Sequence, residues 1–373
     1  MRTMVAALVV GFHLCLAVAQ DARRPLAVPD VPGYVTLKGD FHLHSVFSDG
    51  EVWPTVHVRE AWRDGLDVIA LTEHVEYRPH KADVSGGPRR AYEVARPLAE
   101  RLGLLLVPGA EITRPVPGAK ADIPVGSAHF NVLFATDLDA LDTPELSDAL
   151  GGAKQQGAFV VWDHPGFMGA PARWFPHIEP LHGAGLFGGV EVVNGDQFYP
   201  EALEWTREKS LTALAASDAH LPMPAHLKSA RRPVTLVFAK TRDLGGVKEA
   251  LVAGRTLAWL DTHVWGSEQW LRALWSASVR AEPASATAGG EVTLTLRNQS
   301  SIDYDVEIVG APAWLALPAA RLAREAATSV RGRLAADAPR GSRSLRLAVR
   351  VENLQPAAGV PLEAVIEVDV SIE

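Results

Sequence analysis

The 373-residue chain holds a single cysteine, Cys15, and that one lies in an apolar run near the N-terminus. A mature protein cut after that run has no disulfide, so its fold rests on hydrophobic burial rather than on cross-links. Basic charge is also scarce. There are 36 Lys and Arg against 44 Asp and Glu, a formal net charge of −8 with a pI of about 5.9. That balance argues against a surface for long nucleic acid, as does the lack of a stripe in which basic and aromatic residues interleave. It does not argue against an anionic substrate, because a metal cluster supplies local positive charge that a net count hides. Beyond the first residues no run is long and apolar enough to span a membrane, and there is no repeat or low-complexity tract.

What is present suits an ordinary globular protein: 47% hydrophobic and 21% charged residues, with length for one large domain and one small one. Residues 1–19 read as a cleaved secretory signal: Arg2, a short apolar core, then Ala17-Val18-Ala19. The alternative is an N-terminal membrane anchor, for which the run is short. Cys15 follows His13-Leu14 rather than the small residues of a lipoprotein signal. Export to the periplasm or beyond is therefore expected. Residues 20–33, rich in proline and charge, read as a linker.

From residue 34 to about 265 apolar strand-like runs alternate with helix-like ones. This pattern predicts an α/β domain with a parallel sheet covered on both faces. An open doubly wound sheet and a closed barrel look alike at this level. The composition changes near Ala277. Residues 277–373 carry short alternating strands separated by turn residues and contain no histidine, which predicts an immunoglobulin-like β-sandwich.

His42 and His44, in DFHLHSVFSDG, are two apart on an extended segment, so both side chains leave one face. Asp49 follows in a Ser-Asp-Gly turn. His74 ends VIALTEH, Glu111 ends LLLVPGAE, His129 opens HFNVLF, His164 ends FVVWDH, and Asp218 and His220 end LTALAASDAH. Each has an ordinary structural explanation by itself, such as a turn former, a helix cap or a core histidine. Together they place imidazoles and carboxylates at one end of at least five strands, which favours the barrel and gathers ligands into one mouth. Such a set suits Zn²⁺, Mn²⁺ or Fe²⁺ at a hydrolytic site. Asn131 shares the face of His129, whereas Asp163 should point away from that of His164.

The motifs HLHSVFSDG, LTEH, PGAE, HFNVLF, DHPG and SDAH, in that order over about residues 34–265, resemble those of the PHP (polymerase and histidinol phosphatase) superfamily. The stretch from Val31 to Lys81 more closely resembles secreted PHP phosphodiesterases of the haloalkyl-phosphodiesterase type, which also carry an extra C-terminal domain. The resemblance implies a distorted seven-stranded (β/α)7 barrel with two or three divalent ions (Mn, Zn or Fe). His42, His44, Glu111 and Asp218 would hold the first. Asp49, His74 and His220 would hold the second, with Glu111 bridging, and His129 and His164 would complete a third. The implied activity is phosphodiester hydrolysis by a metal-bridging hydroxide, with Asp218, or less readily His220, taking the proton.

Arg114, Arg78, His80 and Lys81 follow ligand residues in loops and are candidate contacts to a small phosphoester, or else solvated loop charges. Three other functions compete. One is hydrolysis of carbamates or other carbon esters, another is phosphomonoester hydrolysis, and the last is a secreted module that binds metal or glycan without catalysis.

Overall fold

The computed structural model describes residues 22–114, 128–167, 171–229 and 231–373; the signal-like segment 1–19 lies outside them. The first part of the chain alternates much as its patterning predicts. Strand β1 (Val35–Asp40) is followed by α1 (Pro54–Arg63), β2 (Val68–Leu71), α2 (Pro88–Leu102) and β3 (Leu105–Ile112). Next come β4 (Phe130–Leu133), α3 (Leu146–Gln155), β5 (Phe159–Trp162), α4 (Ile178–Gly183), β6 (Gly189–Asn194) and β7 (Gln197–Phe198). Then follow α5 (Pro200–Glu208), β8 (Thr212–Ala216), α6 (Met223–His226), β9 (Val234–Ala239), α7 (Leu244–Val252), β10 (Thr256–Leu260), β11 (His263–Gly266) and α8 (Glu268–Ser278). Proline opens α1, α2 and α5, where its missing N–H costs nothing, and α2 stops at Gly103 in the left-handed conformation.

These strands form one large mixed sheet in the order β11-β10-β9-β1-β2-β3-β4-β5-β6-β7, with β8 also paired to β6. The expectation of a parallel sheet holds for β1-β2-β3 and for β5-β6-β8. It fails at β4, β9 and β10, which run antiparallel to their neighbours. No alternation of apolar runs distinguishes a crossover from a reversal, so direction could not be read from patterning.

The sheet curls until β8 meets β9 and β10. There threonine side chains replace a backbone ladder. The Thr235 hydroxyl accepts from the Ala215 N–H (2.9 Å) and donates to the Ala215 carbonyl (2.8 Å), and Thr256 Oγ1 donates to the Ala213 carbonyl (2.7 Å). Leu37, Val68, Val107, Leu133, Val161, Leu214 and Val237, one from each of seven strands, pack together inside the curl. Val247, Ala250 and Leu251 of α7 join that cluster.

The rest of the chain forms two smaller sheets. One is β12 (Val279–Ala281), β14 (Glu291–Asn298), β18 (Ala327–Leu334) and β16 (Leu315–Ala316). The other is β13 (Ala284–Ala286), β21 (Leu362–Ile372), β19 (Gly341–Val351), β15 (Tyr304–Gly310) and β17 (Ala320–Leu322). Burial alternates residue by residue along β14 and β21, so each strand offers one apolar face to a shared core. One short strand, β20 (Leu354–Gln355), instead pairs with β11 and extends the large sheet. No helix among the described residues is long and apolar enough to cross a membrane.

Candidate metal centre

The candidate ligands converge because they all sit at one end of the curled sheet. His42 and His44 follow β1, His74 follows β2, Glu111 lies near the end of β3, His164 follows β5, and Asp218 and His220 follow β8. His129 precedes β4. Because β4 runs antiparallel to β3 and β5, its beginning lies at the same end as their ends. Single bridges pair Leu43 with Ala219 and His74 with Glu111, so the loops continue the register of the strands beneath them.

Glu111 is the hub. Its Oε2 lies 3.2 Å from His42 Nε2, 3.0 Å from His44 Nε2 and 3.2 Å from His74 Nδ1. Its Oε1 lies 2.7 Å from His129 Nδ1 and 3.7 Å from His164 Nε2. Asp218 Oδ1 approaches the same two Nε2 atoms, at 3.2 Å from His42 and 3.3 Å from His44. On the outer side Asp49 lies 3.5 Å from His74 Nε2 and 3.3 Å from His220 Nε2. Thus all nine residues expected as ligands are brought together. The groups whose donor atoms converge are His44, Asp49, His74 and His220; His42, Glu111 and His164; His42, His44 and Asp218; and, behind His42, His42 with Asp163 and Glu191. His44 therefore sits with the outer set as well as with His42.

Backbone strain marks the same place. Asp218 and His164 adopt φ of +54° and +25°, a region that non-glycine residues rarely enter. Gly50 is needed for a different reason: a Cβ there would lie 2.3 Å from the His44 carbonyl oxygen. The Ser-Asp-Gly turn is thereby pressed against the backbone of a candidate ligand.

Charge is balanced within the cluster. Burial disfavours the charged form of His42, but Asp218, Glu191, Asp163 and Glu111 outweigh it and hold the imidazole well above its ordinary range. Burial likewise opposes charge on His44, yet contacts with Asp218 and Glu111 push it up to about 10. Burial raises Glu111 and Asp218, and the surrounding imidazoles more than offset it, keeping both well below the usual carboxylate range. His129 goes the other way, lowered because its burial outweighs Glu111.

The cluster also has unmet polar capacity. Glu111 Oε1, Asp218 Oδ1, Asp49 Oδ1, His74 Nδ1 and His129 Nδ1 are buried in ion-pair contact within the cluster but without a well-directed hydrogen bond. Buried acceptors in this state carry a desolvation cost that cations would remove. The donor set, imidazole nitrogen and carboxylate oxygen around shared atoms, fits divalent ions.

Residues outside the nine expected ligands hold the cluster from behind, and Glu191 is one that the sequence did not single out. Glu191, in the middle of β6, accepts from His42 Nδ1 (2.8 Å), from the His164 backbone N–H (2.8 Å) and from Asn194 (2.8 Å). A buried carboxylate inside the apolar run GVEVVN is the signal that could have found it. Asp163, expected to point away, is buried with an oxygen 4.0 Å from His42 Nδ1. Strand β5 ends at Trp162, so the alternation that predicted its direction has already stopped.

His57 on α1, buried and held down to about 3 by desolvation, donates from Nε2 to the His44 carbonyl at 2.7 Å. His226 donates to the Ser217 carbonyl at 2.9 Å. Fully buried Asp40 accepts from the Ser217 N–H and hydroxyl and pairs with Arg232 at 3.2 Å. Asn131 stands opposite Glu111 in the β3–β4 ladder, buried, with neither amide atom bonded.

The four candidate substrate contacts stand apart. Arg114 is held by Glu76 (2.9 Å) and Asp142 (2.6 Å), and Arg78 donates to the Gly86 carbonyl (3.1 Å). His80 and Lys81 lie in the turn between them, where the His80 carbonyl accepts from Asp83 and Val84. Among the described residues, none of the four is hydrogen-bonded or ion-paired to the cluster.

Comparison with known proteins adds one strong likeness. A solved two-domain protein of Bacteroides vulgatus, inferred to contain a PHP-like metal-dependent phosphoesterase, is 38% identical. It aligns over 93% of this chain and 99% of its own, with a TM-score of 0.83. A protein of Bifidobacterium adolescentis, inferred to be a metal-dependent phosphoesterase, is 17% identical over 57% of this chain and 95% of its own, with a TM-score of 0.39. No family model matches the chain, and no curated protein matches it.

Proposed function

The chain belongs to the PHP superfamily of metal-dependent phosphoesterases, and from that premise we propose that it is a phosphodiesterase acting on a small-molecule ester. The observation that carries the reading is the cluster itself: nine imidazoles and carboxylates gathered at one end of the sheet, with buried acceptors that lack a well-directed hydrogen bond. His42, His44, Glu111 and Asp218 would hold one divalent ion, and Asp49, His74 and His220 a second beside Glu111. His129 and His164 would serve a third. Divalent ions in such a set make water nucleophilic near neutral pH and offset charge on phosphoryl oxygens.

The chain's own residues do the rest. Glu191 orients His42, and His57 fixes the backbone that carries His44. Asp218, partly exposed at the lip, takes the proton of the attacking water. His220, on the same turn, donates from Nδ1 to the Asp218 carbonyl (2.8 Å), which leaves its Nε2 facing Asp49 for the second ion. The preference for diesters rests on the closer resemblance of residues 31–81 to the haloalkyl-phosphodiesterase type.

We extend the reading to the whole chain. Residues 34–265 form a distorted seven-stranded barrel, supported by the seven interior residues contributed by seven strands. Residues 277–373 form an immunoglobulin-like sandwich, supported by two sheets whose alternating faces share a core. The signal-like sequence of residues 1–19 supports a reading in which the protein is exported to the periplasm or beyond.

Hydrolysis of bis(p-nitrophenyl) phosphate and of the matching monoester, by protein from about residue 20 onward, tests the function with Mn²⁺, with Zn²⁺ and with chelator. Metal-dependent turnover favouring the diester is expected. Bound metal with no turnover of either ester would refute the phosphoesterase reading and bring aryl carbamates and carbon esters forward as substrates.

A further inference from the structure

Glu73 precedes His74 in the sequence but points away from the ligand cluster, and its surroundings are unusually specific. The side chain is fully buried. Its carboxylate accepts from the Ser45 backbone N–H at 3.1 and 3.0 Å, from Ser45 Oγ at 2.5 Å and from Ser48 Oγ at 2.6 Å. Both serines are themselves fully buried. Ser48 Oγ also lies 3.2 Å from His44 Nδ1.

A serine hydroxyl has one proton to give. Here it is given to Glu73, so towards His44 the Ser48 oxygen can only accept. The proton between them therefore belongs to His44 Nδ1. The opposite nitrogen, Nε2, is then the one that faces Glu111 Oε2 (3.0 Å) and Asp218 Oδ1 (3.3 Å), and it would offer its lone pair there once a cation displaces the proton it shares with them. His42 is set the same way by a shorter path, since its Nδ1 donates directly to Glu191 and its Nε2 faces the same two oxygens. Each histidine of the pair is thus backed by a buried carboxylate, one directly and one through a hydroxyl.

We propose that Glu73 is a positioning residue that, through Ser48, fixes the tautomer and ring orientation of His44 so that Nε2 is presented to a divalent cation. The proposal rests on the metal-centre reading above and deepens it, with the Glu73 carboxylate bonded to the two serines and to no candidate ligand side chain. Partners of this kind raise ligand basicity and tune affinity by about 10–100-fold.

The test uses the whole mature protein and Zn²⁺ alone, with affinity measured by competition against a chelator. Glu73→Gln keeps the shape but offers an amide N–H to Ser48, which turns the serine proton towards His44 Nδ1 and the histidine proton towards Nε2. Zn²⁺ affinity should fall by about 10–100-fold. In a Ser48→Ala background the same Glu73→Gln change should alter affinity less than about threefold, because the hydroxyl that transmits it is gone. Equal losses in both backgrounds, or no loss in either, would overturn the proposal.

Should Glu73→Gln fail to fold, nitrogen-15 spectra of the Zn²⁺-loaded wild type decide. They should show a slowly exchanging imidazole Nδ1–H that Ser48→Ala removes, and its absence from the wild type overturns the relay. Zn²⁺ binding without turnover of any ester refutes the hydrolase reading and leaves this one to be judged on affinity. A wild type that binds no Zn²⁺ overturns both.

Discussion

Replacing Glu111 by Gln tests the hub of the site with little change in shape. The side chain is 1% exposed and lies within 3.2 Å of nitrogens on His42, His44, His74 and His129. Removing its charge strips a buried counter-charge from several imidazoles at once. Breaking a buried pair from one side costs about 3–5 kcal/mol. At about 1.4 kcal/mol per decade, the same loss spent on a divalent ion weakens its binding by roughly two to three and a half powers of ten. Isothermal titration with Mn²⁺ and Zn²⁺ measures this directly. Thermal unfolding gives a second readout, because a ligand that binds the folded state alone raises Tm. The wild type should gain Tm on metal addition and lose it with chelator, while the Glu111→Gln variant should show little of either. Diester turnover should fall in parallel. A variant with wild-type metal content and wild-type rate would refute the bridging role. One that kept its metal and lost its rate would move Glu111 from holding ions to acting on substrate.

Two further outcomes follow from the same geometry. Without metal His44 is raised to about 10, so its contribution to folding is fully present below an unfolded value of about 6.5 and is lost as pH rises through about 10. A cation must displace that proton, so metal affinity should tighten by about tenfold per pH unit for each proton released, throughout the range below about 10. Titrations in buffers of different ionisation enthalpy will count the protons, and a Kd independent of pH would contradict the protonated cluster. Gly50→Ala places a Cβ 2.3 Å from the His44 carbonyl oxygen and 2.7 Å from the Ser45 nitrogen, backbone atoms that cannot rotate aside. A loss of about 1–3 kcal/mol in stability, together with weakened metal binding, is expected from Tm and metal analysis. Wild-type values for both would show that the turn has slack.

The candidate ligands were legible because each carries its own local signal. A histidine or carboxylate at the downstream end of an apolar run has little structural reason to be there seven times over, and a hydrolytic metal site explains all of them together. The helices were legible for a similar reason, since proline at the start and glycine at the stop act within one turn of chain. Glu191 and Glu73 were not, although both are buried carboxylates. Their roles depend on which histidine nitrogen or serine hydroxyl they meet, across 149 residues for His42 and Glu191 and 25 for Ser48 and Glu73. Arg114 shows the same limit: its position after a ligand strand is legible, but that Glu76 and Asp142 hold its guanidinium, the latter across 28 residues, is not.

By itself, then, the sequence determined the chemistry: which side chains are available, on which runs, and at which ends. Those features are local, and the side-chain alternation of strands together with the turn preferences of glycine and proline are enough to reveal them. The tertiary structure decided the rest. Strand direction at β4 and β9, the curl that brings β8 against β9 and β10, and the pairing of β20 with β11 all depend on contacts between segments far apart in the chain. So does the orientation of each imidazole. A ring has two nitrogens, and which one faces the cluster is settled by the partner packed behind it.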